Sequence, residues 1–251
     1  MDKLIYSILI NKRNNSKQNG LPVGLKGISG SELYVVTIDE ISAVVSDINR
    51  SGLIADRSSA IEYAGVIEAL SHKFTLLPMR FGSIMKSTDA IEKMVVVNYP
   101  EIYQNLQKVD NKYEFGIKVL CDSEKLRASL IGQSASGNIS QPGEVSEISK
   151  SVYRDWVEKK LQEHRLEELM LTHVDSVIAE ITLFLNRLNA VTHIKKMVTE
   201  TTIVDGVCLL EKGHKDPLIN VIETLQSHYP GLSFVLTGPW PPYSFVDITI
   251  K

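Results

Sequence analysis

Arg80 is the residue whose type and setting come nearest to chemistry. It lies in Leu76-Leu77-Pro78-Met79-Arg80-Phe81-Gly82, between two large apolar side chains. A guanidinium is costly to bury unless it is paired, so two readings stand. Either Arg80 snorkels to solvent from an edge strand, or it anchors a carboxylate within the protein or on a partner. A second unusual segment is Thr237-Gly238-Pro239-Trp240-Pro241-Pro242-Tyr243-Ser244-Phe245-Val246. It holds three of the nine prolines and one of the two tryptophans. Each proline fixes φ and removes a backbone donor, and each pushes the preceding residue toward extended geometry. The segment therefore reads as a stiff connector between a strand at Leu232 to Leu236 and another at Tyr243 to Ile250. Trp240 and Tyr243 either plug the gap between strands or act as interface anchors.

Nothing else in the chain assembles a reaction centre. There is no phosphate loop, dinucleotide fingerprint, nucleophile elbow or zinc-ligand pair. His164 and His173 fall on one helical stretch but are not four apart, so they do not face one metal. Cys121 and Cys208 have no Cys or His neighbour at ligand spacing and read as buried thiols. No catalytic residue, cofactor or metal is expected. The net charge of −3 argues against a nucleic-acid partner, which wants a basic stripe. No apolar run approaches the roughly 18 residues of a membrane span, and the short run at Leu4 to Ile10 lacks a secretory leader's flanks. A cytoplasmic, membrane-free protein is expected.

The elements that must position these residues follow from periodicity. Leu4 to Ile10 predicts a buried strand, and Asn11 to Ser31 a long loop. Leu33 to Ile38 and Ile41 to Ile48, joined by Asp39-Glu40, predict a hairpin. Ser58 or Ser59 would cap a helix running to about His72, ahead of a short strand over Phe74 to Phe81. A helix from Thr88 to about Val109 should break near Tyr99, because Pro100 lies inside it. Tyr113 to Cys121 alternates cleanly as a strand. Ile131 to Lys150 reads as a flexible insertion. Ser151 to Leu188 reads as a long helix with Trp156, Leu161, Leu169, Val174, Val177, Ile181, Phe184 and Leu188 on its apolar stripe. Strands at Val191 to Val198 and Thr201 to Leu210, a helix from Asp216-Pro217 to about His228, and the last strands complete the list. The fold class is α+β in two domains. Residues 1–112 form a small α+β unit. Residues 113–251 follow the βαββαβ pattern of a ferredoxin-like domain, with an added strand and a long helix.

The Pro78-Met79-Arg80-Phe81-Gly82 and Gly238-Pro239-Trp240-Pro241-Pro242-Tyr243 segments together resemble the signature segments of the gas vesicle protein GvpL/GvpF family. The opening strand with Tyr6, the Glu114 to Val119 strand and the Met197 to Leu210 region also match its layout. The resemblance implies two α+β domains and no catalytic residues. It implies an accessory protein of gas vesicle assembly, a minor component that binds the main hydrophobic shell protein and other accessory proteins. Candidate interaction or signature residues are Arg80, Phe81, Trp240, Tyr243 and Phe245, with the long helix and the strand edges as further surfaces. Two other readings are an enzyme with a pocket between the domains near Arg80 and a small-molecule regulatory module.

Overall fold

The computed structural model describes residues 1–10, 20–49, 56–135, 152–197, 199 and 201–246. The chain forms two compact units. The first holds residues up to Phe115, with Leu209–Lys212 and the chain from Gly238 onward; the second holds Gly116–Cys208 and Gly213–Thr237.

The first unit is built on β1 (Asp2–Ile10), β2 (Leu33–Ile38), β3 (Ile41–Ile48), β4 (Leu76–Pro78) and β5 (Ile84–Met85). The strand order is β2-β3-β1-β4, with β5 also on β1. β1 is central, and Leu4 to Leu9 are all buried, which explains a run without alternation. β2 and β3 form the expected antiparallel hairpin, closed by Ile38 opposite Ile41. Asp39 makes the turn at φ 52°, a backbone region that aspartate tolerates.

The register between β1 and β3 slips at Tyr6: Ile5 pairs with Val45 and Ser7 with Val44. This β-bulge leaves Tyr6 unpaired and re-aims its side chain. Leu4, Tyr6 and Leu9 then share one core cluster with Tyr63, Val66, Ile67 and Leu70 of helix α1 (Arg57–Ser71). Strict alternation would have split them. The α1 N-cap is Asp56, whose carboxylate accepts from Ser59 N at 2.8 Å, so the cap lies two or three residues ahead of the serines expected. Helices α2 (Thr88–Val97) and α3 (Tyr99–Lys108) break at Asn98 as Pro100 requires. A proline in the first turn of α3 costs no helix hydrogen bond.

The second sheet contains β6 (Lys112–Cys121), β7 (Val191–Lys196), β8 (Thr202–Glu211) and β9 (Leu232–Trp240) in the order β7-β8-β6-β9. Helices α4 (Ser123–Ala135), α5 (Val152–Arg187) and α6 (Lys215–His228) accompany it. α4 corrects the expected insertion, which was read from Ile131: the helix runs on to Ala135, and the rest, 136–150, lies outside the described residues. α5 has 36 residues, a length of about 54 Å. Its buried stripe is Met170, Val174, Val177, Ile181 and Leu185, while Trp156, Leu161 and Leu169 are exposed. The single stripe read from sequence is thus two faces, because only the C-terminal half of the helix packs deeply.

Two more readings are corrected. β9 continues through Gly238 and Pro239 to Trp240, so that stretch is strand and not connector. β9 stands at the end of its strand order, and an edge strand tolerates a residue without an N–H. Residues 243–245 form a turn rather than a strand, and 247–250 lie outside the described residues, as do 11–19 of the first loop. The part of that loop that is described is packed: Ile28 is buried and its N–H donates to Tyr6 Oη at 2.9 Å.

Candidate functional site

Within the first unit the two unusual segments are each held by a residue that periodicity does not single out, Tyr63 for the first and Glu114 for the second. Tyr63, on the inner face of α1, is buried. Its hydroxyl faces the carbonyl oxygens of Ile5 (2.7 Å), Met79 (3.0 Å), Arg80 (3.1 Å) and, more distantly, Tyr6 (3.4 Å). One proton is shared among them. Burial pushes this phenol far above its ordinary range, so it stays a neutral donor. The Tyr63 ring stacks on Tyr6 at 4.9 Å and takes Phe81 edge-on at 5.3 Å. Phe81 therefore has an inward role.

Arg80 divides its functions. Its carbonyl enters the Tyr63 network and also accepts Ser83 N–H (3.1 Å) and Oγ–H (2.8 Å). Its side chain is exposed, as the snorkelling reading expects.

The C-terminal segment is held from below. Glu114, on β6, is 5% exposed. Its Oε2 accepts Ser244 N–H and its Oε1 accepts Ser244 Oγ–H, both at 2.7 Å. Lys108 Nζ donates to Phe245 O at 3.1 Å. Phe245 is buried in the core, and Pro241 and Pro242 are buried beside it. Gly238, at φ 111°, is demanded by crowding: a Cβ there would sit 2.9 Å from Glu114 O and 3.2 Å from the Phe115 and Trp240 rings. A side chain at this position would be both strained and crowded.

Trp240 and Tyr243 are each 44% exposed. The Tyr243 ring shows an edge to solvent, while its oxygen is desolvated. Burial first, then the charges of Glu68 and Glu114, push the phenol up to about 12. The arrangement is a rigid, polar-lined junction carrying Arg80, Trp240 and Tyr243 at its surface.

Of the five residues singled out from sequence, the structure gathers Phe81 and Phe245 into the interior and leaves Arg80, Trp240 and Tyr243 accessible. Sequence reading missed Tyr6, Tyr63 and Glu114. The available signal for Glu114 was a carboxylate inside an otherwise apolar strand. For Tyr63 it was a tyrosine three residues before Val66-Ile67 on a capped helix.

The second unit has a parallel arrangement. Glu180 of α5 accepts Tyr229 O–H at 2.7 Å and meets His228 Nδ1 at 2.6 Å. The Tyr229 bond, then His228, holds the Glu180 carboxyl below its ordinary value, against a smaller opposing effect of burial. Burial and Glu180 push Tyr229 up to about 12. This cluster joins α5 to α6.

Among the described residues no group of three or more His, Cys, Asp or Glu side chains converges. A groove of about 550 Å³ in the first unit is lined by Leu25, Lys26, Gly27, Ser29, Glu62 and Val66. Its charges are committed: Glu62 accepts Ser29 N–H at 2.8 Å, and Lys26 pairs with Glu32. Cys121 and Cys208 are buried and form no disulfide, and burial pushes the Cys121 thiol up. Among the described residues no helix is long and apolar enough to cross a membrane.

Comparison with known proteins agrees with the geometry. The family described as gas vesicle synthesis protein GvpL/GvpF matches residues 3–247. Gas vesicle protein F1 of Halobacterium salinarum is 26% identical over 238 residues, covering 93% of this chain and 91% of that protein. The crystal structure of GvpF from Anabaena sp. PCC7120 superposes with a TM-score of 0.79 at 20% identity, over 99% of both chains. That of GvpF from Microcystis aeruginosa gives 0.70 at 18% identity, over 98% of this chain and 99% of that one. At these identities the structures establish a shared fold of mixed helix and sheet with two sheets. The match over nearly the whole sequence establishes more: this chain belongs to the GvpL/GvpF family of gas vesicle synthesis proteins.

Proposed function

We propose that this chain is a non-enzymatic accessory protein, acting in the cytoplasm and on the vesicle. It binds the main, strongly apolar gas vesicle shell protein and other accessory proteins during nucleation or growth. A role in gas vesicle formation follows from family membership. The binding role rests on one observation: an exposed arginine and two half-exposed aromatics, Arg80, Trp240 and Tyr243, stand on a backbone locked by Tyr63 and Glu114. Arginine and aromatic side chains are the favoured anchors of interfaces, and a preorganised surface loses less entropy on binding. An apolar shell subunit held at such a patch would be kept from aggregating until it joins the growing shell.

In this reading residues 1–112 and 113–251 are the two domains, each carrying one sheet. The later domain is ferredoxin-like. Its strand order β7-β8-β6-β9 and its helices after β6 and after β8 support that assignment.

The test is a pull-down of the purified chain with the shell protein, alongside Arg80→Ala and Trp240→Ala variants of unchanged melting temperature. Retention of the wild type and loss by either variant is the expected result. Equal retention of all three chains would place the contact elsewhere, and no retention would reject shell binding.

A further inference from the structure

One face of the second sheet is a candidate docking surface that neither the signature segments nor the long helix accounts for. The faces can be assigned residue by residue within the second unit. Lys196 of β7 reaches α5, donating to Leu171 O (3.2 Å) and Asp175 Oδ1 (2.7 Å). Thr192 and Ile194 share its side of the strand, since alternate residues point the same way. A Cβ on Gly206 of β8 would meet Ile194 at 3.2 Å, so Gly206 also faces the helices, with buried Val204 and Cys208. On β9, Phe234 contacts Tyr229 at the end of α6, ring centroids 6.2 Å apart. The opposite side of β9 carries Thr237, whose Oγ1 lies 2.5 Å from where a Gly116 Cβ would be. Gly116, Lys118 and Leu120 of β6 therefore share the face turned away from the helices.

That second face reads Val191, His193 and Lys195 on β7; Ile203, Asp205, Val207, Leu209 and Glu211 on β8, of which Ile203 and Leu209 are buried; Lys118 and Leu120 on β6; Ser233, Val235 and Thr237 on β9. Lys118, His193, Lys195, Ser233 and Thr237 are exposed, and Leu120, Val207 and Val235 only half-buried. Val191 is 40% exposed. A solvated face of a sheet normally alternates to polar residues. This one keeps three valines and a leucine within reach of solvent and frames them with Lys118 and Lys195, against half-buried Asp205, while Glu211 lies apart at the last position of β8.

We propose that this face docks an acidic amphipathic segment of a partner protein, its apolar side chains on Leu120, Val207 and Val191 and its carboxylates toward Lys118 and Lys195. Charge decides the occupant. A second copy placed by a two-fold axis would set the same lysine-bearing face against itself, and juxtaposed like charges select against wrong partners. Nucleic acid is disfavoured because two lysines set among valines fall short of the basic stripe that it requires.

The experiment titrates the full chain into a labelled synthetic helix with a leucine stripe flanked by glutamates, and into the same peptide with lysines for glutamates, followed by fluorescence anisotropy. The acidic peptide should bind roughly tenfold more tightly than the basic one, and Lys118→Glu with Lys195→Glu should reverse that preference. Both lysines are exposed, so melting should not change. If it does, single Lys118→Gln and Lys195→Gln chains should each weaken binding about threefold. Arg80→Ala serves as the control and should bind like wild type, which separates this surface from the shell-protein patch. Equal affinity for the two peptides, no binding, or indifference to the lysine changes would overturn the proposal. So would concentration-dependent dimerisation that Lys118→Glu abolishes, which would make the occupant a second copy.

Discussion

Glu114 and Glu180 do the same chemistry in two settings. Each carboxylate joins segments remote in sequence through two hydrogen bonds, Glu114 to Ser244 in the first unit and Glu180 to Tyr229 and His228 in the second. They differ in burial. Glu114 is 5% exposed, whereas the Glu180 side chain retains a quarter of its exposure and His228 half. Water can replace the partners of Glu180 when they are lost. It reaches the buried Glu114 carboxylate far less readily. The difference teaches where stability and shape are held. The junction under the proposed patch depends on groups that are costly to leave unpaired, while the helix-to-helix contact is a weaker, solvent-screened one.

The largest test of that contrast removes the side chain that the Glu114 clamp seats. Phe245→Ala should cost about 3–5 kcal/mol in urea unfolding, the usual range for emptying a buried phenylalanine site. A loss below 1 kcal/mol would mean that the C-terminal turn is not part of the core. Next, Glu114→Ala strands the Ser244 N–H and should cost about 1–3 kcal/mol. The comparison breaks if Glu180→Ala, measured the same way, costs as much. Tyr63→Phe keeps the ring stack and deletes only the shared proton, for an expected loss of about 1 kcal/mol. It should also raise hydrogen exchange at Met79 to Phe81, and unchanged exchange there would remove Tyr63 from the role of holding that loop.

The smallest effect is the most specific. Glu180 has its folded pKa below its ordinary value of 4.5, so the folded chain binds that proton more weakly than the unfolded chain. Its contribution is complete above the ordinary value and is lost as pH falls through the folded one. Wild type should therefore lose stability faster than Glu180→Gln as pH drops below about 4.5, with parallel curves near neutrality. Parallel curves throughout would show that the Tyr229 and His228 contacts do not favour the charged carboxylate.

Some of this architecture was legible in single stretches of chain. The hairpin closed by Asp39-Glu40, the break at Pro100, the alternating β6 and the long α5 all follow from local period or local chemistry. α4 escaped because its Ser123–Ala135 stretch has almost no amphipathic pattern and includes Gly132. The tiny β5 escaped because two residues carry no period. The strand through Pro239 was read as a connector because edge position, which makes that proline tolerable, is a property of the sheet. Arg80, Trp240 and Tyr243 were singled out from composition alone, and the structure leaves all three accessible. Phe81 and Phe245, picked by the same reasoning, turn inward.

The amino-acid sequence by itself determined the periods of the main elements, the positions where proline must interrupt them, and the signature segments that carry family membership. The tertiary structure alone decided that the carbonyls of Met79 and Arg80 meet the Tyr63 hydroxyl. It alone decided that Glu114 is buried with Ser244 as its partner and that a bulge at Tyr6 brings Leu9 into the core cluster of Leu4. The physical reason is that hydrophobic period is written in neighbours along the chain. The partners that satisfy a buried carbonyl, hydroxyl or carboxylate are chosen from whatever the fold brings within 3 Å, and no local pattern encodes that choice.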